Sequence, residues 1–354
     1  MHGDTQLVDH PHLAISVQDH FGLDQLHLDL SVPSPSDLAL GQVGVKLGYS
    51  ALNYRDLMMV EGHYNPRQPL PLIPCSDGLG RVAQTHDGSS WHLGQRVIPI
   101  FSQTWLDGEP NRLLTKHTLG GPLAGTLRRY GEFNTDGLVA VPDYLSDAEA
   151  STLGCAALTA WSALIELGQL KSGAHVLCIG TGGVSLFAAQ IAAISGARVT
   201  LISRHEDKLD WVMKHPNIQA YKHLITPLHT PSGTQWGRLV RKSFGEVDHI
   251  IEVGGAGTLG ESLQVVKAGG TISLIGVLAG GGASIDLTPV LMRQIKIQGV
   301  IVGHKAGMQR MLKAFTAHQL RPILCDKEFT LTDVDEAFQY MKAAKHIGKI
   351  VIKH

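Results

Sequence analysis

The stretch HVLCIGTGGVSLFAAQIAAIS, His175 to Ser195, runs from an apolar, β-branched segment through a glycine-rich turn into small and apolar residues at helical spacing. A glycine pattern alone says little. One that follows a strand, opens a helix and precedes a second strand, here ARVTLIS from Ala197, has the order of a dinucleotide-binding βαβ unit. Gly180, Gly182, Gly183 and Val184 are the candidate contacts. The turn needs backbone angles that glycine adopts freely, and a bare backbone lets a pyrophosphate reach the N–H groups and dipole of the helix N-terminus. Ser185 stands where glycine or alanine is usual, and a tight turn without a ligand is the competing reading.

The second strand ends at Ser203-Arg204, with Lys208 one helical turn further on. An NAD-binding chain places a carboxylate on the ribose at about this point, roughly twenty residues after the turn. A hydroxyl, a guanidinium and an ammonium instead suit a 2′-phosphate, so NADP(H) is the expected cofactor and NAD the less favoured one. The alternative is that Arg204 and Lys208 belong to a solvated loop and helix face.

Outward from this unit, VDHIIEV, GTISLIG and IKIQGVIVG continue the alternation of apolar runs with helical segments as far as about Gly303. They read as buried parallel strands of a doubly wound α/β domain. The half before it, with GQVGVKLGYSALN, GLGRVAQT and GQRVIPIF, has short apolar runs separated by Gly, Pro and Asp and reads as mostly β. Ser146 and Glu149 match a capping box, and Leu158, Trp161, Leu164 and Ile165 follow at helical spacing, which puts a domain boundary near Ser146. The expected organisation is 1–147, 148–303, and a tail of helix, strand, helix and strand, 304–354, able to close back on the first domain.

Across 354 residues, 44% hydrophobic and 17% charged describe a globular chain with room for two domains, which excludes disordered and fibrous classes. A net charge of -1 without basic runs gives no pull toward nucleic acid or anionic membrane, so the expected partner is a small molecule. Cys75, Cys155, Cys178 and Cys325 form no CxxC pair, the N-terminus lacks the order of a signal peptide, and no apolar run reaches the roughly 18 residues of a membrane span. The expected compartment is the cytoplasm.

In this order, LNYRDL, PLIPCSDGLG, CAALTAW, GTGGVSLFAAQIA, SRHEDKL, IEVGGAGTL, GGTISLIGVL and GKIVI resemble the medium-chain dehydrogenase/reductase superfamily, and within it the zinc-free branch similar to quinone oxidoreductases. The resemblance spans nearly the whole chain. It implies a GroES-like β-rich catalytic domain beside a Rossmann doubly wound parallel-sheet domain, a cleft between them, and a homodimer formed through Rossmann edge strands. Zinc-dependent members carry a Cys, a His-Glu pair and a second Cys; by the resemblance these positions fall on Asn53, Ser76-Asp77 and Cys155. Asn and Ser are poor zinc donors, and no cysteine lies between Val97 and Pro142, where a structural zinc lobe would be, so no zinc is expected. The 19 histidines show no HExxH or paired Cys/His spacing. Cys178 reads as a buried thiol, and Cys155 as a small packing residue or, at a helix N-terminus, a thiol of lowered pKa.

Without a Lewis acid, an alkoxide is hard to form from an alcohol, whereas a quinone or a C=C bond conjugated to a carbonyl already accepts hydride. The related zinc-free enoyl reductases carry a tyrosine proton donor at the place of Tyr64, and a phenol is protonated at neutral pH. Packing of Tyr64 on the β-domain is the equal alternative. Asn53 could hold a ribose or a substrate oxygen, and Asp56 could order the loop. Thr159, Gly254, Gly276, Val277, Gly303 and His304 lie at helix or strand ends, the side of an open α/β sheet where ligands bind, although a plain turn role competes at each except Gly276. Cys75, where relatives often have Gly, and Arg81, where many have an acid, depart from the pattern. The expected reaction is therefore NADP(H)-dependent hydride transfer to a quinone or an α,β-unsaturated carbonyl compound. The alternatives are an alcohol dehydrogenase, or an NADPH-binding structural or sensor protein.

Overall fold

Val43, Val45 and Leu47 share one buried face of a strand, with Lys46 exposed on the other, where Gly44 is covered. The computed structural model describes residues 10–30, 38–112, 114–278, 280–282 and 284–354. Its strands are β1 (Ala14–Val17), β2 (Leu26–Asp29), β3 (Gln42–Ala51), β4 (Asp77–Gln84), β5 (Arg96–Pro99), β6 (Tyr130–Asn134) and β7 (Leu138–Ala140). There follow β8 (His175–Ile179), β9 (Arg198–Ser203), β10 (Ile225–His229), β11 (Val247–Glu252), β12 (Val266–Leu274) and β13 (Lys296–Gly299), then β14 (Phe329–Thr330) and β15 (Val351–Lys353).

The chain forms two compact units, 1–155 with 303–354, and 156–302. The first division falls later than the capping box at Ser146 suggests. Asp147, in the first turn of the helix that box opens, accepts from Arg96 of β5 at 2.8 Å, which ties the helix to the β-rich unit.

In the β-rich unit, β3 pairs antiparallel with β4, β6 and β15, and the sheet runs β14-β15-β3-β4-β5-β7. The tail supplies β14, β15 and the helix Val334–Lys342, whose Phe338 and Val334 share one buried cluster with Leu13, Leu52, Leu57 and Ile352. Pairing of β15 with the end of β3 has a local consequence. Leu52 N–H donates to the Ile350 carbonyl at 3.0 Å, so residues 349 and 350 lie beside residues 52 and 53.

In the second unit six parallel strands run in the order β10-β9-β8-β11-β12-β13, which renumbered within the unit is the doubly wound order 3-2-1-4-5-6. Leu177, Ile202, Ile250 and Ile272 fill its core with Val240 and Leu263 from the covering helices. Two strands differ from the sequence expectation. β10 goes unread because Thr226 and Pro227, both exposed, interrupt its apolar pattern, which an edge strand tolerates. β13 is exposed at all four residues instead of buried, because it is the opposite edge and, among the described residues of this unit, no strand pairs beyond it. Among the described residues no helix is long and apolar enough to cross a membrane.

Candidate active site

The order of β8 and β11 at the centre of the parallel sheet makes the switch point, outside whose carboxyl ends ligands bind in such sheets. Gly180, directly after β8, has φ +80°, a left-handed angle that a side chain would strain, and a Cβ there or at Gly182 would meet no atom within 4 Å. Gly182 caps the helix Gly183–Ile194, whose second residue is Val184, and Ser185 Oγ donates back to the Ile179 carbonyl at 2.6 Å. The serine thus closes the turn while the space above the first N–H groups stays open. That is a cradle fitted to a pyrophosphate.

At the end of β9, Ser203 is buried and accepts from His205 N–H at 3.1 Å, Arg204 is exposed, and Lys208 lies half-buried on the helix Glu206–Lys214. Glu206 and Asp207 open the same helix, so the neighbourhood carries both signs. After β11 the loop is organised by a residue that the sequence reading passed over. Glu252 is fully buried, and its carboxylate accepts from Gly254 N–H at 2.8 Å, Gly255 N–H at 3.1 Å, and the hydroxyls of Thr258 and Ser262. A Cβ at Gly276 would come 2.4 Å from the Val253 carbonyl, so this glycine lets the loops after β11 and β12 touch. Val277 beside it is exposed, and Thr159 is buried in its helix. Gly303 and His304 belong to the other unit. The His304 ring accepts from Gly307 N–H at 3.0 Å, lies 3.5 Å from Asp107 and 5.6 Å from the Trp105 ring, and caps a helix.

In the β-rich unit the structure brings Asn53 and Asp56 together. Asn53 caps the helix Tyr54–Val60, and its N–H donates to Asp56 Oδ2 at 2.8 Å, one half of a capping box. Asp56 is fully buried, and burial raises its pKa against the pull of the Arg55 guanidinium. Arg55 itself is nearly buried, donates to Asp56, to the Leu119 carbonyl at 2.9 Å and to the Gly121 carbonyl at 3.2 Å, and lies between the rings of Tyr64 and Phe101 at 5.1 and 5.0 Å. Tyr64 is 46% exposed, and its ring lies against the Arg55 guanidinium.

The Asn53 carboxamide donates to Asp77 Oδ2 at 2.9 Å and, at 3.4 Å, to Ser76 Oγ. Lys349 Nζ meets Asn53 Oδ1 and Asp77 Oδ2 on the other side. Burial pushes Asp77 up to about 6, with Lys349 holding it from going higher. The Cys155 thiol is pushed up to about 12, first by burial and then by Asp77, so a lowered pKa at a helix end is not what this thiol has. Its turn, Leu153–Ala157, follows the short helix Asp147–Ala150 and runs on into Leu158–Trp161. Burial also raises Cys178 and Cys75, and Cys75 takes φ +70°, the angle that makes glycine usual there. Arg81 pairs with Asp147 at 3.2 Å.

The donor set can be tested against zinc. A carboxamide, a hydroxyl, one carboxylate and a protonated thiol around an ammonium do not fit a divalent cation, and among the described residues no three His, Cys, Asp or Glu side chains gather as ligands. Of these residues sequence reasoning missed Lys349, Arg55 and Glu252. Lys349 stands in the motif GKIVI and Arg55 in LNYRDL, so both were in view, but neither spacing announces a partner.

A glycine cradle at the switch point of a parallel sheet, carried with a GroES-like β-rich unit, defines a nicotinamide-dependent dehydrogenase or reductase. Residues 39–143 match the alcohol dehydrogenase GroES-like domain and residues 183–317 the zinc-binding dehydrogenase family. A zinc-type alcohol dehydrogenase-like protein of Schizosaccharomyces pombe is 37% identical over 94% of this chain and 96% of its own. The acryloyl-coenzyme A reductase of Sulfurisphaera tokodaii is 25% identical, over 91% and 95%. A solved Sinorhizobium meliloti protein of the alcohol dehydrogenase type superposes with a TM-score of 0.86 at 33% identity, over 97% of this chain and 98% of its own. The chain belongs to the medium-chain dehydrogenase/reductase superfamily and has the zinc-type alcohol dehydrogenase-like fold. It is an NAD(P)H-dependent oxidoreductase.

Proposed function

We propose that this oxidoreductase works without metal and with NADPH, and that its acceptor is a quinone or a C=C bond conjugated to a carbonyl. The observation that carries the reading is the Asn53 carboxamide, hydrogen-bonded to Ser76 and Asp77 where a metal site would need thiolate or imidazole. Without a Lewis acid, an acceptor that is already electrophilic is the one that reacts. The bound cofactor supplies a hydride. Gly180 and Gly182 would leave the pyrophosphate its space, Ser203, Arg204 and Lys208 would meet a 2′-phosphate, and Glu252 holds the loop beyond β11 in place. Asn53 would hold the oxygen on which charge develops, and the Tyr64 phenol would donate a proton to the enolate left by hydride addition and regain one from water. The archaeal relative is by its name a reductase of an acryloyl thioester, itself a conjugated C=C, and that supports the acceptor class.

The test is an acceptor panel of quinones, enones, enals and alcohols run on metal-stripped protein with NADPH and with NADH. Turnover of quinones or enones, tighter binding of NADPH than NADH, and a loss of about a hundredfold in kcat for Tyr64→Phe at unchanged NADPH affinity are expected. Stoichiometric zinc with chelator-sensitive alcohol oxidation would overturn the metal-free reading. NADPH binding without turnover of any acceptor would leave a binding protein.

We also propose a homodimer through the second unit. β13 is a free, exposed edge strand, and Ile297, Leu291 and Met292 near it are large apolar residues in water. Light scattering is expected to give twice the chain mass, and Ile297→Lys to shift it toward the monomer; a wild type that stays monomeric at high concentration removes the idea.

A further inference from the structure

Arg128 stands just before β6, and its guanidinium lies 5.5 Å from the centre of the Phe133 ring. Gly131 makes room for it, since a Cβ there would come 2.9 Å from the guanidinium carbon. The Nε–H is buried without an acceptor, and among the described residues no acceptor hydrogen-bonds the rest of the group. A cation shielded from water and left without a counter-charge is costly. Burial lowers the Arg128 pKa to about 10, against the pull of Glu132, so the group is still charged at neutral pH.

Glu132 does not neutralise it, for a reason set by the pleat. Successive residues of a strand point to opposite faces. Phe133 pairs with Val43 and Gly131 with Val45, on the buried face of β3, and the guanidinium lies over these two positions of β6. Glu132 pairs with Gly44 on the other face, where the Tyr130 side chain crosses that glycine and its hydroxyl donates to Gln84 Oε1 at 3.1 Å. Carboxylate and cation therefore stand on opposite faces of the sheet.

On its own side Arg128 lines a cavity of about 520 Å³, a volume within the range of small-molecule pockets. Leu119, Leu123 and Phe133 give it an apolar wall, and Leu119 and Phe133 are fixed in the core cluster of the β-rich unit. Thr104 and His117, joined by a 3.0 Å hydrogen bond, also line it. Gln103 lines it too, but its amide N–H groups are spent on the Ile100 and Gly137 carbonyls. The guanidinium is thus the cationic donor of a pocket that is otherwise largely apolar. Asn53, Tyr64 and the glycine turn are not among the lining residues.

We propose that this cavity is a binding site for an organic monocarboxylate with a small apolar body: the carboxylate sits on the Arg128 guanidinium, whose planar fork matches it, and the body lies against Leu119, Leu123 and Phe133. The site is separate from the hydride-transfer chemistry proposed above and does not depend on it.

Hexanoate is the probe, titrated calorimetrically into the full chain, with hexanamide and inorganic phosphate as comparisons. The wild type is expected to bind one hexanoate per chain, at least about tenfold more tightly than hexanamide, which lacks the charge, or phosphate, which lacks the body. NADPH affinity is expected to move less than about threefold at saturating hexanoate. Arg128→Met is expected to lose at least about tenfold in hexanoate affinity, whereas Glu132→Gln, on the other face, stays within about threefold. Hexanoate should raise the Tm of the wild type and leave that of Arg128→Met unchanged. Should Arg128→Met not fold, Leu123→Trp fills the cavity with the charge in place and is expected to lose the same affinity. The proposal is overturned by a folded wild type that binds no hexanoate, by hexanamide or phosphate binding as tightly, or by competition with NADPH. A tenfold gain in Glu132→Gln would overturn it as well, because Glu132 would then be the counter-charge.

Discussion

Arg55→Met lowers the stability of the β-rich unit by about 3–5 kcal/mol, the range for removing one partner of a buried ion pair. Asp56 is fully buried, and of the groups that favour its charge Arg55 acts most strongly. Methionine fills much of the volume but donates nothing, so the carboxylate keeps its desolvation cost and loses its counter-charge. The Leu119 carbonyl loses the guanidinium donor as well, while that of Gly121 keeps the Thr118 hydroxyl. Urea denaturation, with hydrogen exchange on peptides around residues 53–64, measures the loss. Adding Asp56→Asn recovers a substantial part, because the stranded charge is what destabilises most. A loss under about 1 kcal/mol would show that the pair is solvated in practice. A second consequence is kinetic. Tyr64 rests on the guanidinium, so an Arg55→Met protein that still folds should behave toward acceptors like Tyr64→Phe.

The second large effect is expected at Glu252. Its carboxylate receives two backbone N–H groups and two hydroxyls, all from the segment that follows β11. Glu252→Ala leaves these donors buried without an acceptor, at about 1–3 kcal/mol for each group that stays unsatisfied, so about 3–5 kcal/mol in all is expected after partial rearrangement. The loop lies at the carboxyl end of a strand flanking the switch point, so NADPH affinity should fall by about tenfold or more. Glu252→Gln keeps one oxygen for the two N–H groups and the Thr258 hydroxyl and lets the Ser262 hydroxyl turn to accept, so it should stay within about threefold of the wild type in affinity. Titration by cofactor fluorescence separates the two variants. Equal affinities for Ala and the wild type would mean that the loop holds its shape without the carboxylate.

The parallel-sheet unit was readable because its signals are local. HVLCIGTGG carries strand, turn and helix start within one window, and Gly180 meets the demand for a positive φ that the sequence implies. β10 was not readable for the converse reason: Thr226 and Pro227 make an edge strand look like a loop, and only its pairing with β9 identifies it. The exposure of β13 was misjudged on the same ground, since an apolar run does not say whether another strand lies beyond it.

At the candidate site the sequence pointed to Asn53, Asp56 and Tyr64, all within one short stretch, and to positions 76, 77 and 155 through the resemblance. What it could not supply was the cation. Lys349 is 296 residues from Asn53, and only the pairing of β15 with β3 brings the two together.

The sequence by itself determined the class of the fold, the dinucleotide turn and the poverty of zinc donors, because each depends on residue type at short spacing. The tertiary structure decided which buried charges are balanced and by what: Asp56 by Arg55, Asp77 by Lys349, and the donors of the loop after β11 by Glu252. Burial makes an unpaired polar group costly; Asp56 and Glu252 meet their partners close by in sequence, whereas Lys349 reaches Asp77 only because β15 pairs with β3.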